Sequence, residues 1–448
     1  MKISEIVEAT GGTLLCGNLN DEVNSFSHDT RTIKQGDMYI PIIGEVFDGH
    51  QFINQAFEKG ASSIITSLPM SDDTHNIILV KDTHQALGDM ARWVRIHSHA
   101  TVIGITGSVG KTSTKDMIYS VVSTRYKALK TIGNYNNDIG LPQTILRYQD
   151  EEVMVIEMGM NHLKEIDYLT HIALPDIAVI TNVGTAHIGE VGSREKILEA
   201  KMEITHGLNE NGLLIVNGDN DLLQTIKEDH FLLETIGIDN PASLNAYDIC
   251  LEETKSTFMI DYHNQPYQVT VNVPGKHFVY NALISIQTGL ALSIDIKDCI
   301  RGVACFELTE NRADMIETAQ HIRIYDGTYN ANVDSMKASI DVLSQHKDRK
   351  IAVLGDMLEL GDYEERLHRE VGTYLSDQNI DITLTVGKGA YYIYDEVIKA
   401  GKKAYHFANN KKLIDYLKTI IHPNDVVLIK GSNGMHLKEV IKSLEENI

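Results

Sequence analysis

The chain of 448 residues is too long for one hydrophobic core, which sets an expectation of two to four domains. Hydrophobic residues at 43% and charged residues at 23% are ordinary for globular proteins and argue against long disorder. Forty Lys and Arg against 62 Asp and Glu leave a formal charge of -22. That balance disfavours sequence-independent nucleic-acid binding, which needs a basic face, but leaves an anionic small substrate open, since this needs only a local cradle of donors.

The opening MKISEIVEATGG carries no apolar core of signal-peptide length, and no run approaches 18 uncharged apolar residues, so no membrane insertion is expected. Cys16, Cys250, Cys299 and Cys305 lack CxxC spacing and read as reduced cysteines of a cytoplasmic protein. Residues 1–82 alternate short strands and helices: MYIPII (38–43) as a strand, HQFINQAFEKGA (50–61) as an amphipathic helix, then SIITS and NIILV as strands. A helix over about 83–97 leads to the β-rich run TVIGIT (101–106). From there apolar runs at 153–159, 176–184 and 212–219 alternate with helical stretches, the pattern of a parallel sheet covered on both faces. Residues 246–273 change period and predict antiparallel strands at one sheet edge, followed by an apolar helix over 277–294. From about residue 311 the βα pattern returns in RIYDGTYN, KIAVLGDM, ITLTVGKG and DVVLIKGSNG. Each run ends in glycine or polar residues, at the strand end where open α/β sheets bind ligands. The expected architecture is α/β with three domains, 1–82, 83–310 and 311–448.

The most specific signal is GITGSVGKT (104–112), directly after a strand and before a helical pattern. Gly107 and Gly110 let the backbone N–H groups of Ser108, Val109 and Ser113 turn toward phosphate oxygens. Lys111 reaches the outer phosphates and Thr112 can ligate Mg²⁺. Ile105 replaces the first glycine of the strict pattern, so this is a variant TGxxGKT. Glu157 ends a strand beside that loop, a position suited to Mg²⁺ or to a plain solvated acid. His187 ends another strand, and histidine is unusual around Mg²⁺. Lys201, in the helical stretch SREKILEAKMEI, reads on position alone as a solvated lysine. GNYNNDIGLP (133–142) packs Asn134, Asn136, Asn137 and Asp138 into one loop that suits either turn formation or a polar substrate.

In order and distance, TGSVGKTS, GNYNNDIGLP, EMGMNHLKEI and TNVGTAHIGEVGSREKILEAKMEI resemble the Mur ligases. DGTYNANVDSMKASI (326–340), AVLGDMLELG (352–361) and LIKGSNGMHL (428–437) look like the MurF branch, and the resemblance covers essentially the whole chain. It implies a small α/β uridine-nucleotide-binding domain, a central P-loop ATPase-like parallel sheet with an antiparallel edge, and a C-terminal Rossmann-like α/β domain. It further implies ATP-dependent amide-bond formation through an acyl phosphate, adding D-Ala-D-Ala to a UDP-MurNAc-tripeptide in peptidoglycan precursor synthesis, by a monomer. By resemblance the 107–113 loop and Lys111 hold ATP, and Thr112 with Glu157 ligates one Mg²⁺. His187 and Lys201, the latter as a carbamate, match a second metal site. A carbamate supplies the hard oxygen that an ammonium cannot. Asp29, Thr30 and Arg31, with Asp48 and His50 of FDGH (47–50), match a uridine-nucleotide site, although HDTR alone would be an ordinary turn. Asn136 and Asn137 are carried over as substrate contacts, Arg312, Asp326 and Asn330 as ATP contacts, and Asn332 as facing the incoming dipeptide.

Four positions in three motifs depart from the family pattern. Gly327 and Val333 stand where DD-x-YNANP has Asp and Pro, Asn433 replaces a fixed cation in KGSRGM, and Asn311 replaces the glycine before Arg312. An asparagine cannot reproduce a guanidinium fork, so the added unit is less fixed than the reaction type. Two other readings stay open: a sister or folylpolyglutamate synthase-like ligase adding another amino acid, and a P-loop switch that ligates nothing.

Overall fold

The computed structural model describes residues 1–44, 46–227, 230–308 and 315–446. Three sheets follow one another along the chain, each the centre of an α/β domain. In the first, the strands run in the order Thr13–Cys16, Asn76–Leu79, Ser63–Thr66, Met38–Tyr39, Phe26–Ser27, with Thr13–Cys16 antiparallel and the rest parallel. The strand expected over 38–43 is only Met38–Tyr39. The helix expected over 50–61 divides into a 3₁₀ turn, Gly49–Phe52, and a helix, Ile53–Glu58. It stops before Gly60, whose φ of 106° no helix can accommodate.

The nine-stranded central sheet places Thr101–Thr106 between Ile177–Ile180 and Val153–Glu157, with Ala128–Lys130 at one edge. On the other side Leu213–Asn217, Leu232–Gly237 and Leu244–Leu251 continue in parallel, and Ser256–Tyr262 and Gln265–Val271 close the sheet antiparallel. The predicted antiparallel edge is therefore present. Burial explains the continuous apolar runs. Val102 packs into the core on one face and Ile103 into the core on the other, so neither side of the strand can be polar. Helices Lys111–Val122 and Lys276–Ala291 cover one face, and Gly140–Ile145, Glu165–Ala173 and Arg194–Met202 cover the other.

Helix Thr83–His97 joins the first two domains. Asp82 caps it through the N–H groups of His84 and Gln85. Its Ala86, Leu87 and Met90 pack into the N-terminal core, while Ala91 packs into the central one. The third sheet runs Met315–Glu317, Arg323–Gly327, Val426–Lys430, Lys350–Gly355, Ile382–Val386, Ala404–Phe407, parallel except for the first pair. Helices lie on both of its faces. Among the described residues no helix is long and apolar enough to cross a membrane.

Candidate functional site

The C-terminal ends of the central and third sheets open onto one cleft of about 1110 Å³. The phosphate-type loop forms its floor. Gly107 and Gly110 have φ of 155° and 80°, and a Cβ on Gly107 would lie 1.8 Å from Thr181 Oγ1. Only glycine fits the loop at that point. The N–H groups of Ser108 and Val109 both donate to Asn182 Oδ1, at 3.1 and 2.9 Å, and Gly184 N–H donates to Ser108 Oγ at 2.9 Å. The 181–184 segment thereby brackets the loop, which ends at the N-terminus of helix Lys111–Val122. Lys111 Nζ donates to Gly107 O at 2.7 Å, so the amine lies over the loop. The Ser108 and Val109 N–H groups, expected to face phosphate, are thus engaged by Asn182, and the helix N-terminus with its overlying ammonium is what the loop presents to polyphosphate.

Beside the cradle, Thr112 Oγ1 donates to Glu157 Oε2 at 2.8 Å, and Asn136 Nδ2 donates to Oε1 at 2.8 Å. Thr112 and Glu157 are buried, and a hydroxyl adjoining a carboxylate is an oxygen pair of the kind Mg²⁺ selects. Asn137 instead works within its own turn, its Oδ1 accepting from Gly140 N–H at 2.9 Å. Asp138 reaches His84 at 3.0 Å and ties that turn to helix Thr83–His97.

His187 lines the cleft with a left-handed φ of 61°. Its Nδ1 lies 2.9 Å from Glu359 Oε2 of the third domain but makes no aligned hydrogen bond. Lys201 is 2% exposed and stands behind the cleft wall, with its amine driven well below the ordinary lysine range, first by burial and then by the charge of Lys111. Among the described residues no three His, Cys, Asp or Glu side chains are placed to hold a metal.

On the C-terminal side, Asp326 is buried and accepts from Thr328 N–H and Oγ1 at 2.9 and 2.7 Å. Asn330 lines the cleft, and its carbonyl accepts from Lys430 Nζ at 3.0 Å. Asn332 caps helix Val333–Ser344, its Oδ1 accepting from Ser335 N–H at 2.9 Å. Val333 therefore takes the first helical position, which proline favours because its φ is preset but which valine can occupy. Gly327 abuts Lys430, and Asn433 is exposed away from the cleft. Lys430, not residue 433, is thus the cation that this sheet presents to the cleft. Arg312 and Asn311 lie outside the described residues.

The N-terminal turns form a separate group outside the cleft lining. Arg31 Nε and Nη2 clamp the Asp29 carboxylate at 2.7 to 3.0 Å, which holds that acid at about 2. Thr30 Oγ1 donates to Gln55 Oε1 at 3.0 Å. Asp48 and His50 approach to 2.6 Å, and Nε2 of the same ring accepts from Ser67 N–H at 3.1 Å. Buried Tyr39 lies next to the second turn, its OH donating to Gly49 O at 2.9 Å. His28 contacts Gln143 beyond the asparagine turn, which links this group to the central domain.

Sequence comparison fits this arrangement. The Mur ligase family catalytic domain matches residues 22–95, the Mur ligase middle domain 105–289 and the Mur ligase glutamate ligase domain 311–433. A UDP-N-acetylmuramoyl-tripeptide–D-alanyl-D-alanine ligase from Bacillus subtilis is 39% identical over 453 residues, covering 99% of this chain and 98% of that protein. The chain belongs to the Mur ligase family. The fold of this Mur ligase superposes on a crystal structure of MurF from Acinetobacter baumannii with a TM-score of 0.92 at 31% identity, covering 100% of this chain and 99% of that one. A crystal structure of MurF from Thermotoga maritima in complex with ADP gives 0.84 at 28% identity, covering 94% and 97%.

Sequence reasoning misses several cleft residues of this Mur ligase. Asn182 hides in an ordinary strand-end tripeptide. Asn281 sits in an apolar helix, accepting from Thr114 Oγ1 at 3.1 Å while its buried Nδ2 has no partner. The only signal for Asn281 is an amide on the buried face of a mostly apolar helix, where Ser285 and Thr288 also lie. Glu359, which meets His187 from outside the cleft lining, reads as one more surface acid.

Proposed function

We propose that this Mur ligase uses ATP to join D-alanyl-D-alanine to a UDP-linked muramoyl tripeptide, in peptidoglycan precursor synthesis in the cytoplasm, as a monomer. The observation that carries the reading is the phosphate cradle facing the YNAN segment across one cleft, in a chain whose relatives bear that activity in their names. In this reading the tripeptide's terminal carboxylate oxygen attacks the γ-phosphorus of ATP and ADP leaves. The amine of the dipeptide then attacks the acyl carbon, and phosphate departs through a tetrahedral intermediate.

The chain's own groups have definite parts to play. The 107–113 N–H groups and Lys111 hold the outer phosphates, and Asn281 Nδ2, a buried donor without a partner beside the loop, is a further phosphate ligand. Asp326 and Asn330 bound the nucleotide from the third domain, and Arg312 is carried over by resemblance as a further ATP contact. Asn136, Asn137 and Asn332 flank the peptide path. The Asp29, Thr30, Arg31, Asp48 and His50 turns receive the uridine nucleotide. The domains of this scheme are 1–82 for the UDP substrate, 83–310 for ATP and 311–448 for closure on ATP and the amine. Docking of the third domain keeps water from the acyl phosphate, which would otherwise hydrolyse.

The buried oxygen pair of Thr112 and Glu157 suits Mg²⁺ as it stands. Thr112 and Glu157 would hold one ion. His187 and Lys201 would hold a second, provided Lys201 is carbamylated. A buried amine held neutral is the form that adds CO₂, and the His187 ring lines the cleft on the Lys111 side. When bound, the ions supply positive charge against the oxygens of the transferring phosphoryl group. Purified protein given ATP, Mg²⁺, UDP-muramoyl tripeptide and D-Ala-D-Ala should release phosphate and form the pentapeptide in equal amounts. Turnover of a free amino acid in preference to the dipeptide would move the assignment to a sister ligase, and absence of both products would overturn it.

A further inference from the structure

The third domain of this protein meets the central one at several places, among them Glu253, which lies 3.5 Å from Arg323 and 3.6 Å from His346, and Gly275, which abuts Val342. It also grips a short segment, 184–192, which runs from the edge of the phosphate loop to the helix carrying Lys201. Helix Ile188–Val191 packs on the 3₁₀ turn Gly361–Tyr363, with Ile188 and Leu360 buried in one apolar cluster. Gly189 N–H donates to Glu359 O at 3.1 Å, and a Cβ on Gly189 would come within 2.6 Å of Glu359 O and Gly361 N. Tyr363 OH donates to Gly192 O at 2.6 Å.

Two side chains meet within this grip. His187 Nδ1 and Glu359 Oε2 are 2.9 Å apart, one from each domain. The carboxylate lies off the N–H direction, so the contact is not an aligned hydrogen bond. At this distance the carboxylate is the charged group of the third domain set directly against the imidazole, and a small rotation of either side chain would align the pair. Both residues also have left-handed backbones, with φ of 61° at His187 and 62° at Glu359. Non-glycine residues rarely adopt that conformation, and paired cases across a domain boundary mark a geometry held in place by its surroundings.

We propose that Glu359 is a positioning residue for His187: the docked third domain presents this carboxylate to Nδ1, fixing the ring so that Nε2 is the nitrogen offered to the nucleotide cleft. A carboxylate behind an imidazole selects its tautomer, holds its orientation and raises the basicity of the other nitrogen. Because the carboxylate arrives from another domain, His187 acquires this support only when the domains are docked. Domain closure and preparation of the ligand are then one event. The inference rests on the reading of His187 as a metal ligand.

The test uses the full chain with bicarbonate, a non-hydrolysable ATP analogue and Mn²⁺, and counts bound Mn²⁺ by electron paramagnetic resonance. The wild type should bind two ions, and His187→Ala should identify the site that depends on this ring. Glu359→Ala should weaken that same site by about tenfold or more, in the range typical of removing a partner behind a ligating histidine. Glu359→Gln, which keeps an acceptor oxygen and the shape, should recover part of the loss, and thermal unfolding should confirm that each variant is folded. Tyr363→Phe removes a different contact of the same grip and should weaken the site less than Glu359→Ala. Unchanged Mn²⁺ affinity in Glu359→Ala, or an equal loss in Tyr363→Phe, would overturn the positioning role and leave the metal reading standing. A wild type that binds one ion, with no effect of His187→Ala, would remove the metal reading and this inference with it.

Discussion

Lys111 Nζ lies over Gly107 O in the first turn of its helix, and no second lysine or arginine belongs to that loop. Replacing it with alanine removes a cation held in place before the reaction at the site where phosphoryl charge develops. Lys111→Ala should therefore lower kcat by about 10² to 10³-fold in a phosphate-release assay, the scale of losing one preorganised electrostatic group. Near-normal turnover would refute the cradle. Lys201 presents the opposite case, a buried amine whose charge nothing in its surroundings favours. Lys201→Ala should be inactive but folded, and added short carboxylic acids should restore part of the rate by supplying the lost oxygen. A fully active variant would exclude the carbamate. The two lysines also mark what could be read from the sequence. Lys111 is legible because its loop has a spacing that only one chemistry demands. Lys201 is indistinguishable from a solvated helix lysine until burial is known, and it entered only through resemblance. Asn182 and Glu359 were not legible at all, and Asn281 only as an amide in a mostly apolar helix, because each acts through a contact with a distant segment.

At the scale of elements, the strands buried on both faces were legible, since continuous apolar runs between helices have few other uses. Leu232–Gly237 and Ala404–Phe407 were not, because their part-exposed residues interrupt the run. The strand expected over 38–43 stops at Tyr39, since Pro41 has no N–H to give the ladder while apolar side chains continue to Ile43. The turn carrying Glu359 has its own anchor in helix Glu364–Asp377. His368 is fully buried, accepts from Met357 N–H through Nε2 at 3.0 Å and contacts Glu364 O through Nδ1 at 2.8 Å. That pattern fits only the neutral ring with its proton on Nδ1, and burial lowers its pKa from the ordinary 6.5. A folded-state pKa below the unfolded one means the unfolded chain takes up the proton first. The contribution of His368 is therefore complete above about 6.5 and is lost as pH falls through the lowered folded value. Thermal unfolding between pH 8 and 5 should show wild-type stability falling toward acid. His368→Gln should be less stable at pH 8 by roughly 1 to 3 kcal/mol, with the gap narrowing at pH 5. A gap that widens toward acid would contradict the neutral assignment.

For the whole molecule the problem is charge. With 62 acids against 40 bases, the far field of the protein repels ATP and a UDP-linked peptide alike. The cleft escapes that excess, because Lys111, Lys164, Lys276, Lys337 and Lys430 line it nearly as densely as acids do. Long-range repulsion and short-range attraction therefore act on the same ligand and are screened differently. Raising ionic strength from 0.01 to 0.15 M shortens the Debye length from about 30 to about 8 Å, which removes most of the repulsion from distant carboxylates. Contacts within the cradle are only a few ångströms long and partly buried, so they lose much less. At fixed free Mg²⁺, the KM for ATP should stay level or fall over this salt range, and the on-rate of a fluorescent ATP analogue should rise. A KM that climbs steeply with salt would mean that long-range attraction, not the local cradle, brings the nucleotide in.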